Sequence, residues 1–188
     1  MLYFLIRSLY NLKNILVTNF GKSFYLKLIP FFSCFMLVSF SSVIFPPSGF
    51  SLSIPYVVVA GIIFWHFSLG KLFSIFQIFL IGIITDLYMG TPIGYYSLLF
   101  LIMTIISFLT LKKIGSKKTF FNFLLAAYLY AIFFSLEFIF VFMYYDAILN
   151  LNILLFNFLI SSSIYPIIYI LLRWLYVFFN LDSIYAEN

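Results

Sequence analysis

The chain has 188 residues, 65% of them hydrophobic and 8% charged, where a soluble domain carries roughly a quarter charged residues. A mean hydropathy of +1.20 leaves too little polar surface for water, so the medium around this chain is mostly lipid. The net charge of +5 is no nucleic-acid signature, because the ten cations are scattered and fall at predicted helix ends, where topology determinants and contacts for anionic lipid sit.

The length suits one helical bundle with no second domain. Cys34 is the single cysteine, which excludes an intrachain disulfide and a cysteine-based metal cluster; within its apolar run it reads as a small buried hydrophobe. The 28 Phe and 15 Tyr share A/T-rich codons with the abundant Ile, Asn and Lys, so the aromatic count carries no functional weight.

Residues 1–27 lack the layout of a signal peptide. Wound as a helix, Leu5, Leu9, Leu12 and Leu16 share one face and Arg7, Asn11, Asn14 and Thr18 the opposite one. Two readings fit: a helix lying in the membrane surface, or a basic leader that sets orientation. The first spanning run is Leu28 to Phe45, closed by Pro46-Pro47-Ser48-Gly49. A second runs from Pro55 to about Leu69, a third from Lys71 to Tyr88 and a fourth from Ile93 to Leu111. Lys112, Lys113, Lys117 and Lys118 surround Gly115 in a polar turn, and a fifth run (Phe120 to Tyr145) and a sixth (about Leu151 to Tyr176) follow, before a short tail over 177–188.

Most of these runs approach the ~20 residues that cross a hydrocarbon core; the second is short. Charge decides its placement. With six crossings and the N-terminus inside, Arg7, Lys13, Lys22, Lys27, Lys71, the four turn lysines and Arg173 all face the cytoplasm. Without the second crossing the lysine turn lies outside, against the positive-inside rule. The predicted fold is therefore an all-α polytopic membrane protein, a six-transmembrane-helix bundle over 28–176 with both termini cytoplasmic.

Enzyme constellations are absent from the sequence. The one histidine, His66, stands beside Trp65, itself expected as an interfacial aromatic, and has no ligand cluster near it, so packing or an interfacial position is the expected role of His66, and no metal or cofactor is expected. Phosphate loops and nucleophile elbows are missing. The informative stretch is Gly82 to Gly94, in which Gly82, Asp86, Gly90 and Gly94 recur every fourth residue, a spacing that lets another backbone approach closely in lipid. Gly90 and Pro92 break the helix just beyond Asp86, and the next helix begins there with unsatisfied N–H groups. The carboxylate fits two roles: locking a helix-turn-helix through its amides, or lining a cavity. Glu137 is deep in the fifth run, as Gln77 and Asn157 are in the third and sixth; a functional acid and a hydrogen-bonded structural carboxyl are both open for it. Pro166 is expected to kink the sixth helix, with Ser161, Ser162 and Ser163 satisfying the carbonyls it frees.

The Pro-rich loop (Pro46, Pro47, Pro55), the Phe64-Trp65 pair, the G-x-x-x-D-x-x-x-G-x-x-x-G run, Pro166 and Arg173 together resemble the rod shape-determining protein MreD family over about residues 28–176. After the tryptophan that family carries an arginine-rich loop and a proline, where this chain reads His66-Phe67-Ser68-Leu69-Gly70-Lys71. The resemblance implies a non-catalytic scaffold of the bacterial elongation complex in the cytoplasmic (inner) membrane. Its implied partners are an MreC-like membrane-anchored protein and, directly or indirectly, the actin-like MreB, the glycosyltransferase RodA and its transpeptidase. It also implies a fold like the substrate-binding subunits of energy-coupling-factor transporters, and with it a pocket. The alternative function, motivated by the acids Asp86 and Glu137 within the apolar runs and by the helix break, is a small-molecule-binding subunit of a vitamin-type transporter with its site in the Asp86–Glu137 region.

Overall fold

The computed structural model describes residues 19–44, 56–70, 73–114, 119–145, 151–179 and 181. The N-terminal amphipathic pattern over 1–18, the prolines at 46, 47 and 55, Lys71, and the turn residues 115–118 lie outside the described residues. Among the described residues there are six helices and no strand: α1 (Asn19–Ile44), α2 (Val57–Leu69), α3 (Ile75–Met89), α4 (Tyr95–Ile114), α5 (Thr119–Tyr145) and α6 (Leu151–Phe178). Two are long and apolar enough to cross a membrane by length and composition, α5 over Asn122–Met143 and α6; the apolar stretches Leu28–Ser41, Val57–Leu69, Ile75–Met89 and Tyr95–Thr110 are shorter. In lipid the backbone must satisfy its own polar groups, which is why apolar runs of this kind become helices.

The centre of the bundle is α2. Eleven of its residues are buried, so it has no polar face and no lipid face. It packs against α1, α4, α5 and α6, while α3 and α4 form the most extensive helix pair. At 13 residues α2 spans only about 20 Å, short of a ~30 Å hydrocarbon core. Enclosure by four neighbours removes the need for it to match lipid thickness. Gly61 lets α1 approach: a Cβ there would stand 2.8 Å from Leu37 Cδ1 and 3.1 Å from Cys34 Sγ. Cys34 is fully buried, as its apolar surroundings predict.

Helix ends depart from the apolar runs in informative ways. α1 already includes residues 19–27, so the last residues of the basic segment 1–27 belong to the first helix, and that helix also contains Pro30. α3 begins at Ile75 rather than Lys71 because Ser74 caps it. Ser74 Oγ accepts from the Phe76 N–H at 3.3 Å, and the Ser74 N–H donates to Gln77 Oε1 at 3.2 Å. This capping box corrects the expectation that Gln77 is deep in the third helix: its side chain serves the helix entrance. α6 runs through Pro166 as one helix. The neighbouring serines do not satisfy the carbonyls that the proline frees. Ser162 and Ser163 donate to the carbonyls of Phe158 and Leu159, each at 2.7 Å, one turn earlier, and Ser161 serves another helix.

Candidate functional site

The turn between α3 and α4 is organised by one side chain. Asp86 is fully buried in the last turn of α3. Its Oδ1 accepts from the Tyr96 N–H at 2.8 Å and from Thr91 Oγ1 at 2.9 Å, and its Oδ2 accepts from the Gly94 N–H at 2.8 Å. Both oxygens are thus engaged by the turn and the start of α4. The first N–H groups of a helix have no partner within it, and a negative group beside them is favoured by the helix dipole. Asp86 thus caps α4 from the end of α3.

The glycines of the motif divide between two tasks. Gly82 is a close-approach position: a Cβ there would fall 2.3 Å from Ser97 Cα and 2.6 Å from Ser97 N, so α3 and α4 touch backbone to backbone. Across this contact Ser97 Oγ donates to the Phe79 carbonyl at 3.2 Å. Gly90 and Gly94 instead have open space around them and positive φ values of 67° and 101°. Gly90 ends α3 in the left-handed conformation, with its N–H on the Asp86 carbonyl. Pro92 lies in the turn, its carbonyl accepting from the Tyr95 N–H at 3.1 Å. The fourfold spacing is therefore one helical contact, one acid and two turn residues rather than a continuous small face.

A second polar group lies beside the first. Tyr56, immediately before α2, donates its hydroxyl to Glu137 Oε1 on α5. Its N–H donates to Ser161 Oγ on α6 at 3.2 Å, and its carbonyl accepts from the Tyr130 hydroxyl on α5 at 3.0 Å. The Tyr96 hydroxyl, from the residue whose N–H binds Asp86, reaches the Tyr56 hydroxyl at 3.4 Å. Tyr56 also packs edge-on against Phe133 and Phe134, with ring centroids at 5.1 and 5.3 Å. Asp86 and Glu137 are thus brought into one neighbourhood, joined through Tyr96 and Tyr56, and the space between them holds aromatic rings. Composition gave no hint of Tyr56; a tyrosine at the start of a buried helix, facing an acid on another run, was the available signal.

Trp65, expected as an interfacial aromatic, is fully enclosed by protein. Its Nε1–H donates to Ser33 Oγ on α1 at 2.7 Å, and that hydroxyl donates to the Pro30 carbonyl at 2.8 Å. The side chain is a tie between α1 and α2. Pro166 is on the outer face of α6. Asn157 has a buried Oδ1 with no hydrogen-bond partner.

Two cavities lie elsewhere. One, of ≈ 340 Å³, is an apolar groove between α1 and α6, with Phe32, Met36, Leu171 and Leu175 in its walls. The other, of ≈ 630 Å³, lies between the last turn of α2, the start of α3 and the second half of α4, and includes His66, Ser74 and Thr104. Neither is lined by Asp86 or Glu137. Among the described residues no group of three or more His, Cys, Asp or Glu side chains is placed to hold a metal ion.

Comparison with curated proteins and with solved structures returned no match, so the expected likeness to energy-coupling-factor subunits has no support. The model of one family, described as rod shape-determining protein MreD, matches residues 22–175 and so covers most of the chain. The chain belongs to the rod shape-determining protein MreD family, a family of membrane proteins that act in rod-shape determination.

Proposed function

We propose that this chain is a non-catalytic scaffold of the rod-shape system, a six-crossing bundle over 28–176 with both termini in the cytoplasm. On this reading it holds an MreC-like membrane-anchored partner in the bacterial cytoplasmic membrane. Through that partner it is coupled to MreB, to RodA and to the transpeptidase that works with RodA. The segment 1–27 and the tail 177–188 are its cytoplasmic flanks.

The observation that carries the proposal is how the fully buried Asp86 and the partly buried Glu137 are bonded. Asp86 accepts three hydrogen bonds from the turn and helix start beside it, and Glu137 accepts one from Tyr56. Groups committed to holding helices together are what a rigid platform needs, and they are poorly placed to change partners around a substrate. The family's role in rod-shape determination supplies the setting. The large apolar residues exposed along α6, among them Leu159, Ile170 and Trp174, leave broad surface for lipid or a partner helix.

The test is affinity purification of the full chain from its native membrane in mild detergent. An MreC-like protein is expected to co-purify in a fixed ratio. Its absence, with the chain itself intact and monodisperse, overturns the proposal.

A further inference from the structure

Helices α5 and α6 reach well beyond the start of α2. The Tyr56 hydroxyl donates to Glu137, eight residues before the end of α5 at Tyr145. The Tyr56 N–H donates to Ser161 Oγ, ten residues after the start of α6 at Leu151. At 1.5 Å per residue both helices rise about 12–15 Å past the place where α2 begins. α4 adds no such wall, because it starts at Tyr95, whose ring meets Phe140 of α5. This end of the bundle therefore has a recess, with the start of α2 as its floor and α5 and α6 as one side.

Glu137 opens into the recess. Around α5 it lies between two sets of rings: Phe133 and Phe140, which meet Phe100 and Tyr95 of α4, and Phe134, which meets Phe158 of α6. The acid thus faces the bundle interior at the level where α2 stops, and not the lipid. One carboxyl oxygen accepts from Tyr56. The other has no hydrogen-bond partner among the described residues and is not sealed, since the side chain is only partly buried. A carboxyl oxygen at membrane depth is costly unless a donor or a counter-charge meets it.

The chain has no base to offer. Residues 28–70, 72–111 and 119–172, which include every turn at this end, contain neither Lys nor Arg. A second copy of the chain brings none either.

We infer that the recess receives a lysine or arginine side chain of a partner polypeptide, paired with the free oxygen of Glu137. The inference rests on the scaffold reading and names the contact by which the partner is held. Hydrogen bonds between charged groups are roughly twice as strong as neutral ones. Tyr56 already fixes the acid in position, so little ordering is lost when the base arrives. The partner segment enters from the end where α2 stops, the outer one in the six-crossing topology.

The experiment is co-purification of the MreC-like partner from the native membrane with the full chain as wild type, Glu137→Gln and Tyr56→Phe. Glu137→Gln keeps an acceptor for Tyr56 but removes the charge. Partner recovery is expected to fall roughly tenfold, the effect of losing one hydrogen bond to a charged group, with the melt of the isolated chain unchanged. Tyr56→Phe breaks the same internal bond and keeps the charge, so recovery is expected to persist. Because a substitution at Glu137 can disturb the bundle, the partner's own Lys and Arg residues near the outer membrane boundary are also replaced singly by Gln against the unaltered chain. One of them is expected to reproduce the loss. Equal recovery with Glu137→Gln overturns the inference and leaves the scaffold standing, as does an equal loss in Tyr56→Phe or no effect from any partner base. A changed oligomeric state of the chain in Glu137→Gln, with the partner retained, assigns the oxygen to a second copy and also overturns it. No recovery from wild type overturns the scaffold reading, and this inference with it.

Discussion

Asp86→Ala is the most revealing single perturbation. It orphans the Tyr96 N–H, whose hydrogen bond to Asp86 is buried, and the Gly94 N–H and the Thr91 hydroxyl, which are partly buried. A fully buried unsatisfied donor costs about 1–3 kcal/mol, and a donor that reaches some solvent costs about 0.5–1.5 kcal/mol. The three together amount to about 2–6 kcal/mol, a large share of the ~5–15 kcal/mol that holds a typical domain. For a chain of this size that corresponds to a fall of roughly 5–20 °C in melting temperature. Asp86→Asn keeps one acceptor and sets an NH2 group against a backbone N–H, so it falls between wild type and Asp86→Ala. Thr91→Val removes one partner and costs about 1 kcal/mol. The assay is thermal unfolding in detergent followed by size-exclusion chromatography, paired with hydrogen exchange at the Tyr96 amide. An Asp86→Ala melt within about 2 °C of wild type, or a Tyr96 amide equally protected without the carboxylate, would refute the capping argument. A carboxylate whose task is to bind a ligand predicts that pattern instead.

Two further substitutions probe how the helices meet. Gly82→Ala places a methyl group 2.3 Å from Ser97 Cα, where backbone must move, so it should cost about 1–3 kcal/mol. Gly90→Ala meets open space and suffers only its φ of 67°, for about 1 kcal/mol; a melt series in which Gly90→Ala is the more damaging contradicts the close approach at Gly82. Tyr56→Phe keeps the ring between Phe133 and Phe134 but withdraws the hydroxyl from Glu137. Interhelical hydrogen bonds in membranes average ~0.6 kcal/mol and reach ~1.7 kcal/mol, so a loss in that range is expected, and it should largely vanish when Glu137 is already replaced by Leu, which offers no acceptor. Equal losses in both backgrounds would show that the two side chains are not coupled.

Much of this arrangement is legible in the sequence because lipid imposes a simple rule: an apolar run must close its own hydrogen bonds, and Gly, Pro and Lys mark where it stops. The break at Gly90 and Pro92 and the proximity of Asp86 to the start of α4 follow from that rule alone. What escapes it is three-dimensional pairing. Gln77 looked like a buried polar residue because it follows Phe76 in an apolar run, yet Ser74-x-x-Gln77 is the spacing of a capping box, and the cap starts the helix later than hydropathy does. Trp65 looked interfacial because tryptophans favour the membrane–water boundary; its enclosure depends on α1 and α6, whose packing no local pattern records. Tyr56 and Glu137 are 81 positions apart, and the serines before Pro166 proved to bond an earlier turn or another helix. Periodicity carries no information about such partners.

The proposed scaffold rests on the six-crossing topology with the lysine turn inside, and that topology is open to direct measurement. Lys113→Cys and Ser48→Cys are introduced singly into the otherwise unaltered chain, whose one native cysteine, Cys34, is buried and shielded from reagent. Intact cells are then treated with a membrane-impermeant maleimide. Cysteine at position 48 should react from outside, and cysteine at position 113 only after the membrane is permeabilised; reaction at position 113 in intact cells would contradict the account.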